Sequence, residues 1–514
     1  MLKKRFRLSR QECLFLIIII VSASVLRLWD LGNIGFNGDE AVYSGQAATL
    51  AGNEESTKYF SIYRAHPLFL QFIVSIFFSS FGVSDSIARI APAIFGILTV
   101  IFVYFIGKEL YDKRVAMVAA IVMTIIPYHI IVSRQVLLDV PLSFFSTLTL
   151  FFVIRYLRQD KEIHWLYFIG ASSGLSFLSK EVGIFVLVAS IISLIVTKKF
   201  SFKKLAIIGS SFLLATSPFW IPILTIQEAQ QTALSYWQWQ TSRDQNQPDT
   251  FYLEILFRDA LGLVLTGLFI ISLFYLWKVG KLKSPKVMVL LIWIGTTLLL
   301  FQLLPIKGFH FAQSLIAPFV LLGLSILDGH WIKRVTSYRI LVIVLVPLIL
   351  LTSGPIFNYL FQIFTPPLAG SGGIPHVREG AIWIRDNVPD NSIILTIDAT
   401  TANIIKFYAN KEVFSLHSNK NPAYAEIGNP DLHILNGQIR YLMLQPNIVE
   451  NYPHLKEEVD QLSDLAKKYG GMPIHMENQT YTGNNGEILI RPAIVIYSLD
   501  RIHGEYTLGG EYYH

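Results

Sequence analysis

The chain has 514 residues, 53% of them hydrophobic and 15% charged, with a mean hydropathy of +0.48; soluble globular chains carry about 25% charged residues, so this is a polytopic membrane protein. The net charge of +6 does not point to nucleic acid, because Lys and Arg of membrane proteins collect in cytoplasmic loops and beside anionic headgroups. The single cysteine, Cys13, excludes an intrachain disulfide.

The N-terminus, Met1-Leu-Lys-Lys-Arg-Phe-Arg, leads into the apolar run Leu14–Leu28. No small-residue cleavage site precedes the charged loop, and Arg27 and Trp29 close the run, so it reads as an uncleaved first span. Next comes Gly35-Phe36-Asn37-Gly38-Asp39-Glu40-Ala41-Val42-Tyr43. Its adjacent carboxylates, Asp39 and Glu40, are expected in a turn loosened by Gly35 and Gly38, where the span emerges into water. The plain alternative is a solvated loop with two surface acids.

Apolar runs of roughly the 20 residues needed to cross a bilayer fall near 13–30, 88–107, 115–133, 140–157, 163–180, 182–197, 205–224, 260–278, 286–304, 311–328 and 339–359. The run 66–82 is shorter, and orientation decides it. Basic clusters at Lys3–Arg10, Lys108–Arg114, Arg155–Lys161, Lys198–Lys204, Lys278–Lys286 and Lys333–Arg339 all fall in the cytoplasm if 66–82 lies in the outer interface. Counted as a span, it would put every cluster from Lys108 onward outside. The expectation is about eleven spans in a plasma membrane, a cytoplasmic N-terminus and an external C-terminus. Segments 31–87, Arg134–Asp139, 225–258 and Pro305–His310 then face outward. The Gln- and aromatic-rich stretch QEAQQTALSYWQWQ suits an interface or a sugar as well as an ordinary surface helix.

The expected domains are a transmembrane part over 1–360, a Pro/Gly/Ser linker over 361–375 and an external α/β domain over 376–514. In the last, Val377–Asn387, Thr401–Asn410 and Leu455–Tyr469 read as helices. Ser392–Asp398, Arg440–Leu444, Ile474–Glu477 and Ala493–Leu499 read as strands. No Gly-rich phosphate loop or metal-ligand spacing occurs there, and His417, His433, His454 and His475 are dispersed.

Ionisable groups gather on the outer side of this topology: Asp39 and Glu40, Arg64 and His66, Arg134 and Asp139, Lys180 and Glu181, Lys307 and His310. An ionisable residue at the end of a span is a functional candidate by default, although Arg64, Lys307 and His310 also suit interfacial anchors and Lys180 a snorkelling end residue. Together, acids and bases at one membrane face fit an amphipathic phosphate ester. Bases would hold phosphate, and a carboxylate would take a proton from an attacking hydroxyl or amine.

Several stretches carry a family resemblance: NGDEAVY after the first span, RAHPLFLQFIVSIFFSSFGVSDSIARIAPAIFG, GKELYDKR, IIPYHIIVSRQVLLDVPLSFF, GLSFLSKEVG and LPIKGFHFAQSLIAP. In this order over roughly 20–330, they resemble the membrane-embedded GT-C glycosyltransferases, and within them the protein O-mannosyltransferase and lipid A aminoarabinose transferase family. The resemblance implies a polyprenyl-phosphate-linked sugar donor bound from the outer leaflet, and a lipid, glycan or protein acceptor. It implies Asp39 as general base with Glu40 beside it, and Asp139 as the second external acid, which shapes the site or orients the acceptor. It puts phosphate or donor contacts at Arg64, His66, Lys180 and Lys307, with Arg134 and His310 nearby. Some members place a divalent ion between loop acids and others do without; metal stays open here. The tail has no β-trefoil pattern, so a protein acceptor is not specifically implied.

A transporter or flippase of lipid-linked sugars is the competing class. It should hold ionisable groups at mid-membrane and often repeats itself in two halves; this chain does neither. A third class, a membrane anchor for an external binding domain, needs far fewer than eleven spans.

Overall fold

The computed structural model describes residues 8–63, 66–159, 162–328, 343–349, 376–417, 427–450, 452–482 and 487–499. Helices occur in the order α1 (Arg10–Leu28), α2 (Gly38–Leu50), α3 (Glu54–Tyr59), α4 (Phe69–Phe81), α5 (Asp85–Leu110), α6 (Lys113–Ile125) and α7 (Pro127–Ser133). Next are α8 (Asp139–Arg158), α9 (His164–Ser179), α10 (Ile184–Val196), α11 (Phe202–Thr225), α12 (Gln227–Ser242), α13 (Phe251–Glu254), α14 (Gly262–Lys278), α15 (Pro285–Leu303) and α16 (Gln313–Gly323). The chain divides into a helical unit, Met1–Asn33 with Tyr63–Gly370, and a second unit, Ile34–Ile62 with Ser371–His514. The second unit therefore takes in α2 and α3 as well as the C-terminal part.

The predicted segments from 13–30 to 311–328 are all helical; 339–359 lies largely outside the described residues. Among the described residues, six helices are long and apolar enough to cross a membrane, and eight if each of two bent pairs is one span. Of the other three expected spans, 163–180 and 182–197 form helices shorter than a span needs, and 339–359 lies largely outside the described residues. At 13 residues, α4 is also short of a span. By contrast, the 26 residues of α5 reach about 39 Å, enough for a 30 Å hydrocarbon core.

Within the helical unit, contacts follow membrane logic, with small residues and local polar bonds at the seams. Gly170 and Gly174 of α9 meet α11 so closely that an added Cβ would lie 2.3 Å from the Ile208 carbonyl oxygen and 2.6 Å from the Ala215 Cβ. Thr149 donates to Ser172 at 2.7 Å and the Trp293 indole to Ser146 at 2.8 Å.

The bent pair α6–α7 turns by 59° at Pro127, which has no N–H to give the Met123 carbonyl. Arg27, fully buried, replaces it. Its Nη2 donates to Met123 O at 3.1 Å and to His129 Nδ1 at 2.8 Å, and Nη1 donates to Thr124 O at 3.3 Å. Arg27→Leu should leave these acceptors unmet and cost on the order of 3 kcal/mol, read as a lower unfolding temperature in detergent. The second bent pair turns by 110°, with Gly262 at its break in the left-handed region (φ +66) that glycine tolerates.

One end of this unit carries cation–carboxylate pairs: Lys108 on Glu12, which also accepts from the Tyr104 hydroxyl, and Arg155 (2.6 Å) and Arg158 on Glu109. The other end, where α8 begins, α9 ends and α16 begins, holds the acid–base cluster described below.

In the second unit, the C-terminal part forms helices α17 (Val377–Asn387), α18 (Ala399–Ala409), α19 (Pro430–Leu435) and α20 (Lys456–Lys468). Its strands are β1 (Ile393–Asp398), β2 (Glu412–His417), β3 (Ile439–Leu444), β4 (Met472–Thr482) and β5 (Ile488–Ser498). The sheet order is β2-β1-β3-β5-β4, with β1 parallel to β2 and β3, and β5 antiparallel to β3 and β4. Side chains alternate between the faces of a strand. Leu395, Ile397, Leu442 and Leu444 accordingly share a core with Val459, Leu462 and Leu465 of α20. Met443 and Ile494 lie instead under Gly380 of α17. The α/β domain is thus as expected, with β2, α19 and longer β4 and β5 added to it.

The stretch 35–43 corrects one expectation. It is not a loosened turn: Gly38 is the first residue of α2, and Asn37 caps the helix.

Candidate functional site

In the helical unit, α8 and α9 pack against each other, so the first residue of α8 meets the residue after α9. Lys180 Nζ lies 3.1 Å from both carboxylate oxygens of Asp139. His310 Nε2 lies 3.4 Å from Asp139 Oδ2, and the Lys180 ammonium sits 3.5 Å from the centre of the Phe311 ring. All three ionisable groups are buried. The N-terminal turn of α8 also favours a carboxylate at Asp139 through its unpaired N–H groups.

The segment bearing His310 is held by Tyr128, whose hydroxyl donates to Phe309 O at 2.6 Å. Asn246 fixes the backbone of Lys307 from both sides, accepting from its N at 2.9 Å and donating to its O at 3.2 Å. The Lys307 side chain is only 1% exposed, and its single ion pair is a 3.8 Å approach to Asp249, which is 83% exposed. Its Nζ has no hydrogen-bond partner among the described residues, and neither has the amide of Gln313 or the hydroxyl of Ser314. A buried amine with no hydrogen bond and only a 3.8 Å ion pair to an exposed carboxylate keeps much of its desolvation cost, which an anion would offset.

A second chain of contacts adjoins through Glu181. Its carboxylate accepts from His66 Nδ1 at 2.8 Å, which leaves Nε2 to accept from the Tyr236 hydroxyl at 2.9 Å. Gln240 Nε2 donates in turn to that hydroxyl, and the Arg243 guanidinium lies 4.4 Å over the Trp239 ring. Arg134 has a backbone role, donating to Leu26 O at 3.1 Å and Asp30 O at 3.4 Å. Arg64 lies outside the described residues.

In the second unit, the adjacent acids have different surroundings. Glu40 is buried in a capping box: its carboxylate accepts from Asn37 N and Nδ2, both at 3.2 Å, while its own N donates to Asn37 Oδ1 at 2.9 Å. Asp39 is half-buried and makes no hydrogen bond or ion pair among the described residues.

No group of three or more His, Cys, Asp or Glu side chains gathers to hold a metal among the described residues. Asp139 gives both oxygens to Lys180 and Glu40 is used by its cap.

Asp139, Lys180 and His310 come together, while Arg134 is drawn to the end of α1. Residues not singled out in the sequence are Tyr236, Asn246, Gln313 and Phe311. The signals available were the Gln/aromatic stretch 227–242 and a glutamine opening an apolar helix at 313.

The fold is that of the GT-C class of membrane-embedded glycosyltransferases. Residues 65–221 match the dolichyl-phosphate-mannose-protein mannosyltransferase family; His66, Arg134, Asp139 and Lys180 fall inside that match. The chain is similar in structure to ArnT from Cupriavidus metallidurans in the apo state, with a TM-score of 0.67 at 14% identity over 96% of this chain and 99% of that one. For the same protein bound to undecaprenyl phosphate, the TM-score is 0.67 at 16% identity, over 95% and 97%. The archaeal oligosaccharyltransferase AglB from Archaeoglobus fulgidus, in complex with an inhibitory peptide and a dolichol-phosphate, gives 0.57 at 15% identity, over 94% and 74%. In sequence, an uncharacterised protein of Aquifex aeolicus is 26% identical over 182 residues, 34% of this chain; the match spans 36% of that relative's length.

Proposed function

We propose that the protein is a glycosyltransferase that moves a sugar from a polyprenyl-phosphate-linked donor to a hydroxyl or amine of a lipid, glycan or protein acceptor at the outer face of the plasma membrane. The N-terminus is then cytoplasmic and the C-terminal domain external. The observation that carries the reading is the buried Lys307 amine, without a hydrogen-bond partner among the described residues, at the same end of a GT-C helical unit as the Asp139–Lys180–His310 cluster. In this reading Lys307, with Lys180, Arg64, His66 and His310, binds and stabilises the phosphate. Asp39 is the general base, with Glu40 holding the helix that carries it, and Asp139 keeps Lys180 and His310 in place.

The acceptor O–H or N–H gives its proton to Asp39, and the freed electron pair attacks the anomeric carbon. The bond from that carbon to the phosphate oxygen breaks with its electrons, leaving polyprenyl phosphate whose charge the cations stabilise. The sugar is delivered with inversion. The flippase alternative is disfavoured, since the buried ionisable groups described above lie toward the ends of the helical unit.

The test is transfer from a panel of radiolabelled polyprenyl-phosphate monosaccharides, by purified protein in nanodiscs, to total lipid and membrane-protein extract. Label appearing in an acceptor is the expected result. Donor crossing the bilayer without transfer from any panel member would overturn it in favour of a flippase. Lys307→Met is expected to weaken polyprenyl-phosphate binding by roughly 10–100-fold, the worth of one charge-assisted hydrogen bond. It should also raise the unfolding temperature, because an unsatisfied buried amine is removed. Binding isotherms and thermal scans read the two effects separately.

A further inference from the structure

We infer that the C-terminal α/β domain is a positioning element for the transfer reaction: α18 fixes the place of α2 and, through it, the carboxylate of Asp39. The inference rests on the assignment of Asp39 as the base and gives the sheet domain a part in the same chemistry.

All the contacts lie within the second unit. Phe36 N donates to the Tyr408 hydroxyl at 2.8 Å, and the Phe36 ring packs 5.0 Å from Phe407 and 5.9 Å from Tyr408. Phe60, which closes the same loop, meets Phe407 at 6.4 Å, and the Tyr59 hydroxyl donates to Asn410 O at 3.2 Å. Gly38, directly before Asp39, lies so close to α18 that a Cβ there would be 2.5 Å from Thr400 Cγ2 and 3.2 Å from its Cα. Thr400, Phe407 and Tyr408 are spaced i, i+7 and i+8, one face of a helix. One contact thus falls on the residue before Asp39 and the others on both ends of the loop that carries it.

α18 is itself tied to the sheet. Asp398, the last residue of β1, caps it by accepting from Thr400 N at 3.2 Å and Thr401 N at 3.1 Å. Gln445, just after β3, donates to Thr401 Oγ1 at 2.9 Å. A slip of α2 by one residue along α18 would move Asp39 by about 1.5 Å, and a misplacement of about 1 Å can cost 10²-fold in rate. Asp39, with no partner of its own among the described residues, depends on its helix for its position.

Tyr408→Phe keeps the ring and removes the hydroxyl that receives the Phe36 N–H; Gly38→Ala wedges α2 away from Thr400. In the full-length protein in nanodiscs, each is expected to lower kcat by about tenfold or more, the order of one lost hydrogen bond. The KM for the polyprenyl-phosphate donor should stay within about twofold, whereas general destabilisation would move both. Deuterium uptake by amides of 38–50 is expected to quicken by about tenfold. Unchanged uptake in both variants overturns the inference whatever the activity, and so does an unchanged kcat in both beside an inactive Asp39→Asn. If wild type transfers from no donor while uptake quickens as expected, the assignment of the reaction fails and the positioning of α2 by α18 stands.

Discussion

Asp39→Asn is expected to lower the transfer rate by roughly 10²–10⁴-fold, the usual contribution of a general base, at unchanged donor affinity and unfolding temperature. The stability half of this expectation comes from the surroundings: the Asp39 carboxylate has no hydrogen bond or ion pair to lose among the described residues. Glu40→Gln, one residue on, should behave differently. Glutamine can still serve the capping box with Asn37, so a loss of stability within about 1 kcal/mol and a rate within about tenfold of wild type are expected. Single-turnover transfer with the two variants side by side separates them. Equal losses would mean that the acids act as a pair; an active Asp39→Asn would remove Asp39 from the role of base.

Asp139→Ala is expected to cost about 3–5 kcal/mol, because it leaves the buried Lys180 ammonium without its carboxylate, and to abolish transfer with it. The double variant Asp139→Leu with Lys180→Met removes both charges, and much of the stability should return, as it does when a buried pair is replaced by apolar groups of similar size. Activity should not return if Lys180 serves the phosphate. A thermal scan and a transfer assay on Asp139→Leu, Lys180→Met and the double variant form a complete cycle. Recovery of both stability and transfer in the double variant would reduce the pair to a strut.

Much of the helical unit was legible because hydrocarbon permits few alternatives: a span must be a long apolar run, and α5, α8, α11 and α15 stand out as such. Length failed as a guide where runs are broken or short. Pro127 and Gly262 bend two segments, and α9, at 16 residues, and the 181–196 segment fall short of span length. The α/β tail was legible from its alternation, except the six-residue helix α19 and β2, whose EVFSLH has no clean period. In the site, the meeting of Asp139, Lys180 and His310 followed from helices that alternate in direction, but their contacts did not. Asn37 and Glu40, three apart, are a readable capping signal that the emphasis on paired acids hid. Tyr236 and the seating of α2 on α18 left no local trace, since both depend on residues brought together from far along the chain.

The Phe36–Tyr408 hydrogen bond joins positions 372 apart in sequence, and this separation bears on how the protein is made. At about 5–20 residues per second, synthesis reaches Tyr408 roughly 20–70 s after Phe36. During that interval Phe36 and Phe60 have no aromatic partner on α18 to cover them, and the helices of the first unit are already being inserted. A nascent chain stalled before Ala399 would hold those helices and still lack the seat for α2. On the proposed role of Asp39, catalytic competence waits for α18 to be made, and a chain stalled before it stays silent in the bilayer.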